Sequence, residues 1–91
     1  MSKQIEDLKA LFAETGSAHH QAFIDVDGED AEWPLWYAEY CQQKISDILN
    51  TTLTKSELVY ALVHLDRTMR NEAPNADWRT YYAEYFIQHY T

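Results

Sequence analysis

The sequence predicts an all-α fold, a single domain of residues 1–91 in which four to five helices form a bundle built from two related helical hairpins. Apolar residues recur at helical spacing along most of the chain, and no segment alternates apolar and polar residues as a half-buried strand would. Only two glycines and two prolines occur, which is few for a β-rich chain with many turns. Hydrophobic residues make up 46% of the chain, enough for a core.

An internal repeat is the second observation behind this fold. Residues 30–40 recur 45 positions later as residues 75–85, with six of the eleven positions identical. Extending the alignment upstream pairs His19 with His64. With that pair included, the two repeat units cover about 17–40 and 62–85. Each unit is expected to form a helix, a short break and an aromatic helix, so that the two units pack as two helical hairpins.

The first part of the chain is predicted to contain two helices and a loop. The first helix, with an apolar stripe over residues 5–12, is expected to stop at Thr15 and Gly16, because glycine is common just beyond a helix end. Ser17 is expected to cap a short second helix. The acidic stretch of residues 25–32 is predicted to be a loop.

Three sequence features predict where the remaining helices begin. The third helix is predicted to begin at Asp30 or just after it and to run to about Asn50. Thr54 and Glu57 have the spacing of a capping box, the clearest helix start in the chain. An Ala-Pro-Asn break precedes the last helix, which Asn75 is expected to cap.

The charge of the chain restricts its partners. The formal net charge is −8 with the histidines counted as neutral. Because an acidic surface repels phosphate groups, we expect neither nucleic acid nor an anionic membrane as a partner. The N-terminal residues lack the apolar segment of a signal peptide, and no run approaches the ~20 apolar residues of a membrane helix. Together with a single cysteine, which excludes an intramolecular disulfide, these features predict a cytoplasmic protein.

Two aromatic stripes, one in each copy of the repeat, are candidate interaction surfaces. Each covers roughly a third of its helix circumference. The larger rings of the stripes are Trp33, Trp36, Tyr37 and Tyr40, and Trp78, Tyr81, Tyr82 and Tyr85. Aromatic residues at helical spacing usually form a core, which is the first interpretation. Because buried tyrosine hydroxyls need hydrogen-bond partners, the alternative to a core is a partly solvated surface, such as a dimer interface.

The acidic loop and the histidines are candidates for a divalent-cation site. An Asp-x-Asp-Gly run in the loop resembles a calcium loop, but no register places glycine at position six and glutamate at position twelve, so an EF-hand is excluded. A looser cation site stays open beside the simpler interpretation of a solvated loop. The histidines show no metal-ligand spacing, and a site shared by His19 and His64 would require the repeat to bring them together. We therefore assign no metal and no cofactor.

No set of residues predicts catalysis. Cys41 lies on the first aromatic stripe and is expected to be a buried, inert thiol. The sequence has no Gly-x-Ser-x-Gly, no phosphate-binding glycine loop and no dinucleotide-binding fingerprint. We predict that the protein is not an enzyme.

Residues 28–40 resemble a motif of a family of small bacterial proteins of unknown function, in which an acidic, glycine-containing loop precedes Trp-Pro-x-Trp-Tyr-Ala. The upstream His-Gln-Ala-Phe at 20–23 and the downstream Thr-Lys-Ser-Glu-Leu at 54–58 fit the same family. The resemblance covers most of the chain. It implies a small helical protein and attaches no activity, cofactor or catalytic residue to it.

The expected role is therefore protein interaction, with either a protein partner or a second copy of the chain in a homodimer. The alternative is a module that binds a small molecule or a divalent metal through the acidic loop and the histidines. The candidate interaction or ligand surface consists of His19, His20, Asp25, Asp27, Glu29, Trp36, His64 and Tyr81.

Overall fold

The structure is a computed structural model that describes residues 2–90. These residues form four α-helices and one turn of 3₁₀ helix, with no strand among them. The helices are α1 (Ser2–Ala22), α2 (Trp33–Leu49), α3 (Lys55–Glu72) and α4 (Trp78–Tyr90), and the 3₁₀ turn is Ile24–Val26. The predicted all-α bundle is confirmed, with four helices where four to five were expected.

Consecutive helices run antiparallel, and α4 closes the bundle against α1. Gln4, near the start of α1, contacts Ile48 at the end of α2, whereas His19 near the end of α1 contacts Trp36 at the start of α2. The same reversal relates α2 to α3, α3 to α4 and α4 to α1. The result is an up-down-up-down bundle measuring 38 × 28 × 22 Å.

The predicted break at Thr15 and Gly16 is wrong, and so is the predicted cap at Ser17, because α1 continues through all three residues. Gly16 lies where two rings approach the helix closely. A Cβ atom at this position would be 3.4 Å from both Trp78 Cζ2 and Tyr37 Oη. A glycine inside a helix costs about 1 kcal/mol relative to alanine. The helix nevertheless continues to Ala22, and the predicted second helix is reduced to the 3₁₀ turn.

At the starts of α3 and α4, one predicted cap is observed and the other is not. The capping box of α3 is confirmed, since the Glu57 amide donates to Thr54 Oγ1 at 3.1 Å and the Thr54 amide donates to the Glu57 carboxylate at 2.9 Å. The prediction that Asn75 caps the last helix is wrong. The Asp77 carboxylate accepts from the Arg79 amide at 3.2 Å instead, and its charge faces the positive end of α4.

The core runs along the inner faces of the four helices, with Phe12 of α1 near its centre. The Phe12 ring contacts the rings of Trp78, Tyr82 and Phe86 at 6.1, 5.7 and 5.8 Å between centroids. Leucine and isoleucine side chains from α1, α2 and α3 complete the core. Among residues 2–90, no helix combines the length and apolar character that crossing a bilayer requires.

The two aromatic helices occupy matching positions in the sequence repeat. They begin at Trp33 and Trp78, which the alignment pairs, and the paired alanines Ala38 and Ala83 are both fully buried. The segments before them differ, because the connection to α2 contains a 3₁₀ turn and the connection to α4 does not. The relation of the two halves as repeated hairpins stays a prediction.

Candidate functional site

The residues of the predicted surface fall into two groups. One group lies at the end of α1, in the acidic loop and at the start of α2, and the other, His64 and Tyr81, lines a groove between α3 and α4. His19 and His64 share no ring contact and line no common cavity. The described contacts therefore do not bring together the two histidines that a composite metal site would use.

His19 ties the end of α1 to the acidic loop. Its Nε2 lies 3.0 Å from Asp30 Oδ2, and both side chains are largely buried. The rings of Phe23, Trp36 and Tyr37 surround the imidazole at centroid distances of 4.9, 5.1 and 5.5 Å. The other Asp30 oxygen accepts a backbone amide just before α2. This arrangement positions the loop, and His19 Nε2 is engaged by the Asp30 carboxylate.

The carboxylates of the acidic loop project into solvent. Asp25, Asp27 and Glu29 are exposed, and none makes an ion pair with a described cation. Gly28 has a φ of 83°, and a Cβ atom there would be 2.7 Å from His20 Nδ1, so the imidazole lies directly against the glycine. Within residues 2–90, no group of three or more histidine, cysteine, aspartate or glutamate side chains is placed to hold a metal ion.

A groove of about 660 Å³ runs along α4 and is bordered by α3 and the first turns of α1. It forms where α3 and α4 make sparser contact than the other neighbouring helices of the bundle. We call it the α3–α4 groove, and the side chains that matter for its chemistry are His64, Glu72, Tyr81, Glu84, Tyr85 and His89. Most of these side chains are only partly buried or exposed, so the groove is open to solvent.

A row of rings crosses this groove. The His64 ring lies parallel to the Tyr60 ring at 5.8 Å, with 10° between the planes, and contacts the Tyr85 ring at 5.7 Å. The Tyr85 ring in turn contacts the His89 ring at 4.3 Å. Tyr60 keeps 64% of its surface exposed, the most among the exposed large hydrophobic side chains. The Tyr81 hydroxyl donates to Thr68 Oγ1 at 3.4 Å, which fixes the ring at the edge of the groove.

The groove has negative charges with no described positive partner. Glu72 and Glu84 are exposed, and neither makes an ion pair within residues 2–90. Six of the seven lysines and arginines are paired with carboxylates elsewhere, namely Lys3, Lys9, Lys44, Lys55, Arg70 and Arg79. No lysine or arginine lines the groove. Two carboxylates without an ion-pair partner among residues 2–90 therefore lie at this groove.

Two lining residues of this groove, His64 and Tyr81, were predicted as candidate ligand contacts, and Tyr85 was predicted as a ring of the second aromatic stripe. No ligand contact was predicted for the other residues, Tyr60, Glu72, Glu84 and His89. A usable signal existed, since Tyr60 and His64, and likewise Tyr85 and His89, are four residues apart and therefore adjacent on one helix face. Only the packing of α3 beside α4 joins the two pairs into one row.

Cys41 offers no nucleophile. The thiol is buried, its Sγ lies 3.0 Å from Thr15 Oγ1, and burial raises its pKa to about 11. The Thr15 hydroxyl also donates to the Leu11 carbonyl at 2.7 Å. Because the thiolate is the reactive form, a thiol with this pKa is almost wholly unreactive at neutral pH.

Comparisons with protein-family models, with curated protein sequences and with solved structures gave no match for this chain.

Proposed function

We propose that the protein is an interaction module whose α3–α4 groove binds a positively charged segment of a partner protein. The observation that carries the proposal is the partly exposed row of rings, Tyr60, His64, Tyr85 and His89, beside two carboxylates that lack ion-pair partners. The predicted cytoplasmic location is part of the same proposal and rests on the single, unpaired cysteine.

The rings supply the contact area that an interface needs. Tyrosine presents a large, rigid surface that loses little conformational entropy on binding, and it is common at the centres of interfaces. A groove of about 660 Å³ is large enough for several side chains of a docked segment. The exposed side chain of Tyr60 extends this surface beyond the groove along α3.

The charges determine which kind of segment fits. Glu72 and Glu84 would pair with lysine or arginine, and a guanidinium can also stack on the tyrosine rings. No lysine or arginine lines the groove, so neither kind of side chain competes with a partner's cation for these carboxylates.

A second copy of the same chain is a poorer occupant than a basic partner. In a symmetric dimer formed through the groove, the carboxylates of one copy would face those of the other. Each copy also carries a net charge of −8, which opposes association at low salt. If the protein self-associates through the groove, a homodimer is favoured over a basic partner.

A short amphipathic helical peptide of leucine, lysine and arginine is a direct probe. Titration monitored by NMR is expected to shift the ring signals of His64, Tyr85 and His89, with affinity falling as salt is raised. The double variant Glu72→Gln, Glu84→Gln is expected to weaken binding roughly fivefold or more.

The matched control is the double variant Asp25→Asn, Asp27→Asn, which changes the net charge by the same amount but lies in the acidic loop. It should leave the affinity nearly unchanged. Equal loss in both double variants would show that the peptide responds to net charge alone, and absence of shifts at His64 would place binding elsewhere. Light scattering at low and high concentration separates both cases from self-association.

A further inference from the structure

A second concave site lies on a different face from the groove, where the two aromatic helices approach the end of α3. It has a volume of about 290 Å³. Its walls are Trp33 and Tyr37 of α2, Asp66 and Met69 of α3, and Trp78 and Tyr82 of α4. We call it the aromatic cleft. It shares no lining residue with the α3–α4 groove.

Two equivalent ring pairs form the walls of the cleft. Trp33 and Tyr37 meet edge to face at 5.1 Å, with 80° between their planes, and Trp78 and Tyr82 do so at 5.3 Å and 81°. These pairs occupy aligned positions of the sequence repeat. Each pair makes a corner of two nearly perpendicular rings, so the cleft is an open depression lined by aromatic residues of both α2 and α4.

The only carboxylate of the cleft belongs to Asp66. Its Oδ2 is paired at 3.1 Å with the guanidinium of Arg70, whose side chain is 75% exposed. Such an exposed pair is weak and readily exchanges for another cation. Met69 adds a polarisable thioether. No lysine lines the cleft, so a cation entering it would meet aromatic rings, one sulfur and one carboxylate.

Tyr82 gives the cleft a hydrogen-bonding group. The residue is only 5% exposed, and its hydroxyl makes no hydrogen bond within residues 2–90 but keeps contact with solvent, because no buried side-chain oxygen or nitrogen among these residues lacks a partner. Burial, and then the nearby Asp66 carboxylate, raise the pKa of this hydroxyl, so that it stays protonated at neutral pH. Because Tyr82 lines the cleft, this water-accessible hydroxyl can donate a hydrogen bond to a ligand there.

We propose that the aromatic cleft binds a methylated ammonium group, as carried by choline-like small molecules or by methylated lysine side chains. Aromatic rings attract such a cation through their negative faces. A primary ammonium needs several acceptors to replace its water, and the cleft offers one carboxylate. A methylated ammonium gives up less hydration and gains contacts with the rings and with Met69. The small volume fits a headgroup rather than a drug-sized molecule, for which pockets of ~300–1,000 Å³ are usual.

The three tryptophans of the chain supply an internal control. Trp33 and Trp78 line the cleft, whereas Trp36 stacks on Tyr40 outside it. Titration with choline, followed through the indole N–H signals in NMR, is expected to shift Trp33 and Trp78 in a saturable manner and to leave Trp36 unchanged. The neutral carbon analogue of choline, 3,3-dimethylbutanol, should bind at least about tenfold more weakly because it lacks the charge.

Two further titrations distinguish the source of the cation. Acetylated trimethyl-lysine amide and its unmethylated counterpart test a protein ligand, and tighter binding of trimethyl-lysine than of choline would favour a modified partner. The reverse order would favour a small metabolite. In both cases the unmethylated lysine should bind more weakly than the trimethylated one.

Asp66→Asn tests the carboxylate and should weaken choline binding about threefold or more while leaving binding of the neutral analogue unchanged. Trp36→Leu, outside the cleft, should retain the wild-type affinity. Equal binding of choline and its neutral analogue would overturn the proposal, because the cleft would then be a simple apolar crevice. Uniform shifts of all three indoles, or none, would overturn it as well.

Discussion

At the scale of single residues, the paired tryptophans that begin α2 and α4 differ in their surroundings. Trp78 contacts Phe12 and Tyr82 and lies 3.4 Å from the position of a Cβ atom at Gly16. Trp33 makes its one described ring contact with Tyr37. Both are partly buried, so neither is wholly core nor wholly surface. Equivalent positions in a repeat can therefore contribute unequally to stability.

We expect Trp78→Ala to lower the free energy of unfolding by about 2–4 kcal/mol and Trp33→Ala by only about 1–2 kcal/mol, since the loss scales with the packing removed. Urea denaturation followed by circular dichroism measures both values. Equal losses would show that the two rings contribute alike and that the contact with α1 adds nothing at Trp78.

At the scale of helices, the predicted capping box agreed with the structure, whereas the predicted helix end at Thr15 and Gly16 and the predicted cap at Asn75 did not. The capping box at Thr54 and Glu57 needs only residues within one turn. By contrast, α1 continues through Gly16, where rings from α2 and α4 pack against it, and this packing involves residues far away in the sequence.

Thr54→Ala is expected to reduce the free energy of unfolding by about 1 kcal/mol, because the Glu57 amide loses its acceptor. Thr52→Ala is a matched control, since this exposed threonine lies outside the helix and makes no described hydrogen bond. The comparison again uses urea denaturation. A loss of similar size in both variants would mean that threonine's removal from the loop, rather than loss of the cap, is responsible.

At the scale of the whole molecule, the excess negative charge is distributed over a body only 38 Å long. The carboxylates that make no ion pair within residues 2–90 are Asp25, Asp27, Glu29, Glu32, Asp47, Glu57, Glu72 and Glu84. At about 0.01 M salt the Debye length is about 30 Å, so these charges repel one another across the molecule. At about 0.1 M it falls to about 10 Å.

Raising the concentration of sodium chloride over this range is therefore expected to stabilise the fold by roughly 1 kcal/mol, which corresponds to a rise in Tm of ~4–8 °C for a domain of this size. Thermal melts by circular dichroism measure the change. The variant Asp25→Asn, Asp27→Asn should show a smaller rise because it carries less charge. A fall in Tm with salt would show that the exposed ion pairs outweigh the repulsion.

The aromatic stripes show how much of the candidate sites could be predicted. Helical projection identified the rings of both stripes and left open whether they are core or surface. In the structure the rings of one stripe differ in their burial. Tyr82 is buried, whereas Tyr85 borders the groove. That difference arises from the positions of α1 and α3 around α4. The sequence of α4 alone does not predict those positions. The His64 and Tyr81 candidates belong to the groove, whereas His19 forms a contact that orders the loop.

The sequence by itself determined that the chain is helical, that Thr54 caps the start of a helix and that the aromatic residues of α2 and α4 recur at helical spacing. These properties depend on spacing within one or two helical turns. Only the tertiary structure decided that α1 is continuous, that α3 and α4 leave a groove between them and that two Trp–Tyr pairs line one cleft. Those features depend on side chains brought together from distant parts of the chain, and such contacts exist only once all four helices have packed.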